Sequence, residues 1–190
     1  VIFHSRSRTK TVYFVYSGEV MLYNLTKHGN RKVIFILGKG RLLNQSIVSK
    51  KPNALFCEAA CPVKVIEIAE EQFLQLMEQS HALTRAVLRE YERNLWRMGH
   101  QLKNTTGNMQ MERKIAAKLW KLGRDFGVDT EDGVMIDIDL TITLMADLVG
   151  APRENVSRAC KVLTDRGLIR YGNKRFTLTD SDGLAEFYKM

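Results

Sequence analysis

The stretch from Thr141 to Ile169, TITLMADLVGAPRENVSRACKVLTDRGLI, limits the possible folds more than any other. Two runs with apolar residues at helical spacing flank Gly150-Ala151-Pro152. Thr141 can cap the first run, in which Leu144, Leu148 and Val149 fall on one face. Gly150 tolerates the left-handed backbone of an abrupt helix stop, and Pro152 pre-sets φ for a fresh start. In the second run Val156, Cys160 and Leu163 recur at helical steps and make a buried face. Arg153, Glu154, Ser157, Arg158 and Lys161 then project elsewhere, so one side packs and the other is free to read a partner.

Charge indicates what that partner is. The 190 residues carry a formal net charge of +8, which suggests a polyanion, although solubility alone explains part of it. Position is more informative than the total. Residues 110–190 hold 13 bases and 13 acids, yet within them residues 151–175 hold seven bases and two acids. An arginine at a helix start can bond bidentately to guanine O6 and N7, and a glutamate can accept from the exocyclic amine of cytosine. Ser157 is short enough to permit close approach, while Lys161 and Arg166 sit where they would neutralise phosphates. After Gly167-Leu168-Ile169, RYGNKRFTLTD reads as a hairpin with Gly172-Asn173 at its turn, and Arg170, Lys174 and Arg175 make it a basic wing. Any one of these charges alone is equally well a solvated surface residue. Together on two helices and a hairpin they describe a winged helix-turn-helix that binds double-stranded DNA.

The first 70 residues follow a different rule. TVYFVYSGEVMLYNL is β-branched and aromatic, broken at Ser17-Gly18; HGNRKVIFIL opens on a turn; GKGRLL is a second glycine turn; ALFCEAACPVKVIEI reads as two short strands around Pro62. Strands this short and this closely spaced predict an antiparallel sandwich or barrel. From Glu70 the apolar residues take helical spacing. Thr84, Leu88, Tyr91, Leu95, Met98, Leu102, Thr105 and Met109 alternate steps of four and three, the a/d seam of a two-chain coiled coil. A long helix packed only on its own β domain is the competing reading. Leu83 and Val87, however, supply a second apolar edge for that packing and leave the stripe free for a homodimer. NTTGN at 104–108 predicts a hinge, MERKIAAKLWKLGRDFG a further amphipathic helix, and VDTEDGVMIDIDL an acidic turn and a short strand. The expected division is a β-barrel sensor domain at 1–79, a dimerisation helix and hinge at 80–109, and a DNA-binding domain at 110–190, an α+β protein.

Several classes are disfavoured. No segment approaches the roughly 18 apolar residues of a membrane span. The opening VIFHSRSRTK lacks the pattern of a signal peptide. Cys57, Cys61 and Cys160 are too few and too uneven for a disulfide framework, which favours the cytoplasm. There is no Gly-rich phosphate loop, paired zinc motif or nucleophile elbow, so no enzyme class and no metal site is expected.

GAPRENVSRACKVLTDRGLI resembles the recognition helix of the Crp/Fnr superfamily of bacterial transcription regulators, with its G-x-[SP]-R-E-x-V-x-R-x-x-x-x-L pattern. YFVYSGEVMLY, GKGRLL, the long helix and the wing extend the likeness along nearly the whole chain. The resemblance implies a cyclic-nucleotide-binding-like jelly-roll barrel, a homodimer joined through the long helix at Leu88, Tyr91, Leu95, Met98 and Leu102, and RNA polymerase as a further partner. It implies that Glu154 and Arg158 read bases and that Arg153 touches phosphate or base. Ser157 before Arg158 is similar to the Fnr branch and its TTGAT-like half-sites. Thr141, Lys174 and Arg175 join the DNA-binding set, whereas Ile142 stands where the family often carries a polar or basic residue.

Cyclic-AMP binders of this family use a Gly-Glu-Leu turn for the ribose and an Arg-Ser pair for the phosphate. Here Gly40-Arg41-Leu42 and Asn53-Ala54 stand at those places, which argues against a cyclic nucleotide and for another effector. Trp96, Gly99 and His100 on the long helix complete the candidate effector pocket and suit an aromatic or acidic metabolite; alternatively Trp96 is core and His100 surface. Haem held by His4, His28, His81 or His100 stays open as a cofactor, while the cysteines of an Fnr-type iron-sulfur cluster are not present near residue 1.

Overall fold

The computed structural model describes residues 1–105 and 109–189. The expected hinge at Thr106–Asn108 lies outside them. The chain divides into two compact units, Val1–Gly29 with Val33–Lys103, and Asn30–Lys32 with Asn104–Met190.

The first unit is built of short antiparallel strands: β1 (Thr11–Ser17), β2 (Val20–Leu25), β3 (Arg31–Leu37), β4 (Phe56–Ala59) and β5 (Lys64–Ala69). They hydrogen-bond as two sheets, β1–β5 and β3–β2–β4; isolated bridges attach Phe3 to Cys57 of β4 and Leu42 to Phe14 of β1. Alternating side chains of both sheets meet in one core containing Val15, Val20, Leu22, Phe35, Leu37, Leu43 and Cys57. These pairings describe two antiparallel sheets sharing one core.

Two helices follow. In α1 (Glu70–Gln79) Phe73 is buried; Ser80 is extended and interrupts the helix before α2 (His81–Thr105) begins. The Ser80 hydroxyl accepts from Leu83 N at 3.2 Å, which caps the new start. Val87 of α2 is buried with Val12, Leu42, Ile47 and Phe73, and Leu83 and Tyr91 pack beside them. No helix among the described residues is long and apolar enough to cross a membrane.

The second unit contains α3 (Met111–Phe126), β6 (Gly127–Thr130), β7 (Gly133–Ile136), α4 (Ile142–Val149), α5 (Arg153–Asp165), β8 (Ile169–Gly172), β9 (Arg175–Leu178) and α6 (Ser181–Lys189). The sequence predicts one strand before α4. The structure has two, β6 and β7, which join the wing in a four-stranded sheet ordered β6–β7–β9–β8. Helix α6 has no counterpart in the sequence reading. Asp180 starts it, its carboxylate accepting from Gly183 N at 2.8 Å, and α6 packs on α3 with Leu184 and Ala185 buried.

The turn between α4 and α5 follows the reading of its residues. Thr141 caps α4, its hydroxyl accepting from Leu144 N at 3.0 Å, and Gly150 closes the helix in the left-handed region at φ 71°. The inward face of α4 is Met145, Ala146 and Leu148; Leu144 and Val149 are only half-buried, a one-residue rotation from the expected stripe. Replacing the cap, Thr141→Ala, should lower the unfolding free energy by about 1 kcal/mol. Denaturant unfolding followed by circular dichroism checks it.

Candidate nucleic-acid interface

Helix α5 separates its residues cleanly. Val156, Ala159, Cys160 and Leu163 are buried where α5 packs on α3 and α4, whereas Arg153, Glu154, Asn155, Ser157, Arg158 and Lys161 are exposed. Burial of the apolar stripe, about 1.5–3 kcal/mol for each large side chain, sets the rotation of the helix and therefore which residues face outward. Arg153 and Glu154 occupy its first turn, with Pro152 at the cap. The Arg158 guanidinium donates to Asn155 Oδ1 at 2.6 Å, and Glu154 forms no ion pair among the described residues.

The wing departs from expectation in detail. Asn173 and Lys174 hold the two left-handed positions of its turn, at φ 51° and 59°, while Gly172 ends β8 and pairs with Arg175. The turn is thus one residue later than the glycine suggests, because asparagine also accepts this backbone and a two-residue hairpin needs both central residues there. Leu140 N donates to Lys174 O at 2.7 Å, which fixes the wing turn beside the approach to α4. Arg170 pairs with Asp132 and Arg175 with Asp137, the latter at 3.2 Å. Two of the three wing bases therefore share their charge with carboxylates of the β6–β7 region; the Lys174 side chain is exposed.

On α2 the residues of the expected seam are mostly uncovered: Leu88 is 54%, Leu95 72%, Met98 46% and Leu102 63% exposed. Tyr91 differs, packing on the β domain with its hydroxyl donating to Asn44 O at 3.4 Å; burial pushes its pKa up to about 12. The neighbouring face of the helix grips the β domain. Arg41 Nε donates to Glu90 Oε1 at 2.6 Å and Arg41 Nη2 to Asn94 Oδ1 at 3.2 Å. Arg97 is buried with its guanidinium 5.1 Å from the Phe35 ring, and Gln101 Nε2 donates to Ile34 O at 2.9 Å. Glu90, Asn94, Arg97 and Gln101 were not singled out from the sequence, since hydrophobic periodicity does not report which polar residues turn inward.

The expected effector residues are committed in other ways. Leu42 is core, and Asn53 is buried with its side chain donating to Ser7 O at 3.1 Å. Arg41 is held by α2, and Gly40 carries the turn at φ 79°. Trp96 is 59% exposed and lies against the exposed His100 ring, centroids 3.9 Å apart, with Gly99 beside them. All four histidines are exposed, and no group of three or more His, Cys, Asp or Glu among the described residues could hold a metal ion.

The cysteines are free. Cys57 and Cys160 are buried, and desolvation of the thiolate pushes their pKa values up to about 12 and 11. Both thiols therefore stay protonated well above pH 8. Iodoacetamide at that pH should modify Cys61, which is partly exposed, and spare Cys57 and Cys160 until denaturant is added, as read by mass spectrometry of the intact chain.

Comparisons with known proteins agree with this geometry. The profile of the cyclic nucleotide-binding domain matches residues 1–80, and that of the Crp-like helix-turn-helix domain matches residues 113–187. The chain is 25% identical over 175 residues to the CRP-like cAMP-activated global transcriptional regulator of Mycobacterium tuberculosis, covering 92% of this chain and 78% of that one. It is 24% identical over 180 residues to the global nitrogen regulator of a Nostoc species, covering 93% and 80%. The solved structure of FixK2 from Bradyrhizobium japonicum superposes with a TM-score of 0.83 at 19% identity, covering 97% of this chain and 90% of that one.

Proposed function

The chain belongs to the Crp/Fnr superfamily of DNA-binding transcription regulators, which are not enzymes, and on that premise we propose that it acts as a cytoplasmic homodimer reading an inverted repeat under control of an effector other than a cyclic nucleotide. The observation that carries this reading is the exposed polar face of α5 over a buried apolar one. Arg158 is the guanine reader and Glu154 the cytosine acceptor, with Arg153 and Ser157 at the duplex surface. Lys161 and Lys174 neutralise phosphates; Thr141 and Arg175 complete the contact. Half-sites are TTGAT-like, and two α5 helices enter major grooves about 34 Å apart. The exposed Leu88, Leu95, Met98 and Leu102 support a two-chain seam, since a monomer would leave four large apolar side chains of one stripe in water. RNA polymerase is the partner through which a bound dimer acts on transcription.

Against a cyclic nucleotide stands Arg41. A guanidinium at the ribose position offers only donors, and here it is already bound to Glu90 and Asn94. Exposure of every histidine favours a small metabolite over haem, and Trp96 with His100 remains the part of α2 open to one.

DNA binding is tested by salt. Log Kd against log salt should rise with a slope near 0.9 per phosphate contact, and Arg158→Ala should cost about 1–3 kcal/mol with relaxed specificity at one base pair. A salt-insensitive interaction would instead favour a winged helix used for protein contacts. Calorimetric titration of the full chain with cyclic AMP should give no saturable heat; a saturable isotherm overturns the effector assignment.

A further inference from the structure

The two base-reading side chains of α5 are four residues apart, and the structure shows them unpaired with each other. A glutamate four residues before an arginine is the spacing at which an ion pair stabilises an exposed helix face. Here Arg158 instead donates to the neutral Asn155 Oδ1 at 2.6 Å, and Glu154 has no ion-pair partner among the described residues. Resting on the assignment of Glu154 and Arg158 as readers, we propose that Asn155 is a specificity-positioning residue that holds the Arg158 guanidinium away from Glu154.

The chemistry of the three groups supports this role. A guanidinium has five N–H donors, and a bidentate bond to guanine uses two of them, so one spent on Asn155 leaves enough for the base. A carboxylate partner would attract the same group more strongly, because a charge-assisted hydrogen bond is roughly twice as strong as a neutral one. DNA binding would then have to break that pair before either side chain reached a base. Asn155 lies three residues before Arg158, on the adjacent turn, which is close enough to hold the guanidinium without a net charge. Glu154 is thereby left free to accept from cytosine.

The experiment uses the full chain and a duplex enriched by the wild-type protein from a randomised pool, with every base pair of a half-site then varied. Arg158→Ala identifies the pair that Arg158 reads. Asn155→Ala should lower discrimination at that same pair several-fold. Adding Glu154→Gln to Asn155→Ala should restore it, because the competing carboxylate is gone; a structural defect in the helix would not be rescued this way. Alanine is also the better helix former at an exposed position, so loss of fold does not confound the variant. Unchanged discrimination in Asn155→Ala, loss at a different base pair, or no rescue by Glu154→Gln would each overturn the proposal. If Arg158→Ala itself alters no position, the assignment of Arg158 fails first and the proposal goes with it.

Discussion

The polar face of α5 depends on one packing decision, the burial of Val156, Ala159, Cys160 and Leu163 against α3 and α4. A helix has one rotation at which its apolar stripe is fully covered, and here that rotation turns Arg153, Glu154, Ser157, Arg158 and Lys161 outward. The cap at Thr141 and the left-handed Gly150 determine where α4 stops and how sharply the chain turns into α5. The polar face is thus the complement of a hydrophobic constraint. Its outward direction needs no contact of its own.

A similar division of labour operates on α2. One sector is committed to the β domain through Val87, Tyr91, Arg97 and Gln101, and through Arg41 reaching across to Glu90 and Asn94. The adjoining sector, with Leu88, Leu95, Met98 and Leu102, is left uncovered. The inward polar contacts are short, and the Arg41–Glu90 pair is largely shielded from water, so they orient the helix more firmly than its sparse apolar contacts would alone. Arg41 anchors α2 and offers Glu90 and Asn94 only donors.

Much of this was legible from residue order. The strand breaks at Ser17-Gly18 and Pro62, the helix stop at Gly150 and the inward face of α5 all depend on local backbone preference or on periodicity, which act over a few residues. The wing turn was misplaced by one residue because glycine is the strongest turn signal, although Asn173 and Lys174 take the left-handed positions. Helix α6 was missed because SDGLAEFYK has a glycine in its first turn and only a short apolar pair, and its stability comes from packing on α3.

The linear chain by itself determined which residues could be apolar, which could cap or turn, and where positive charge gathers, because those are properties of single side chains and short spacings. Only the tertiary structure decided the partners. That Arg158 meets Asn155, that Arg170 and Arg175 face Asp132 and Asp137, and that Arg41 crosses to Glu90 and Asn94 follows from how elements distant in sequence, or rotamers on one helix, come to lie together. Electrostatic pairing acts through space at a few ångströms; residue spacing brings candidates together within one helix, but which of them pair, and every pairing between separate elements, is decided by the folded structure.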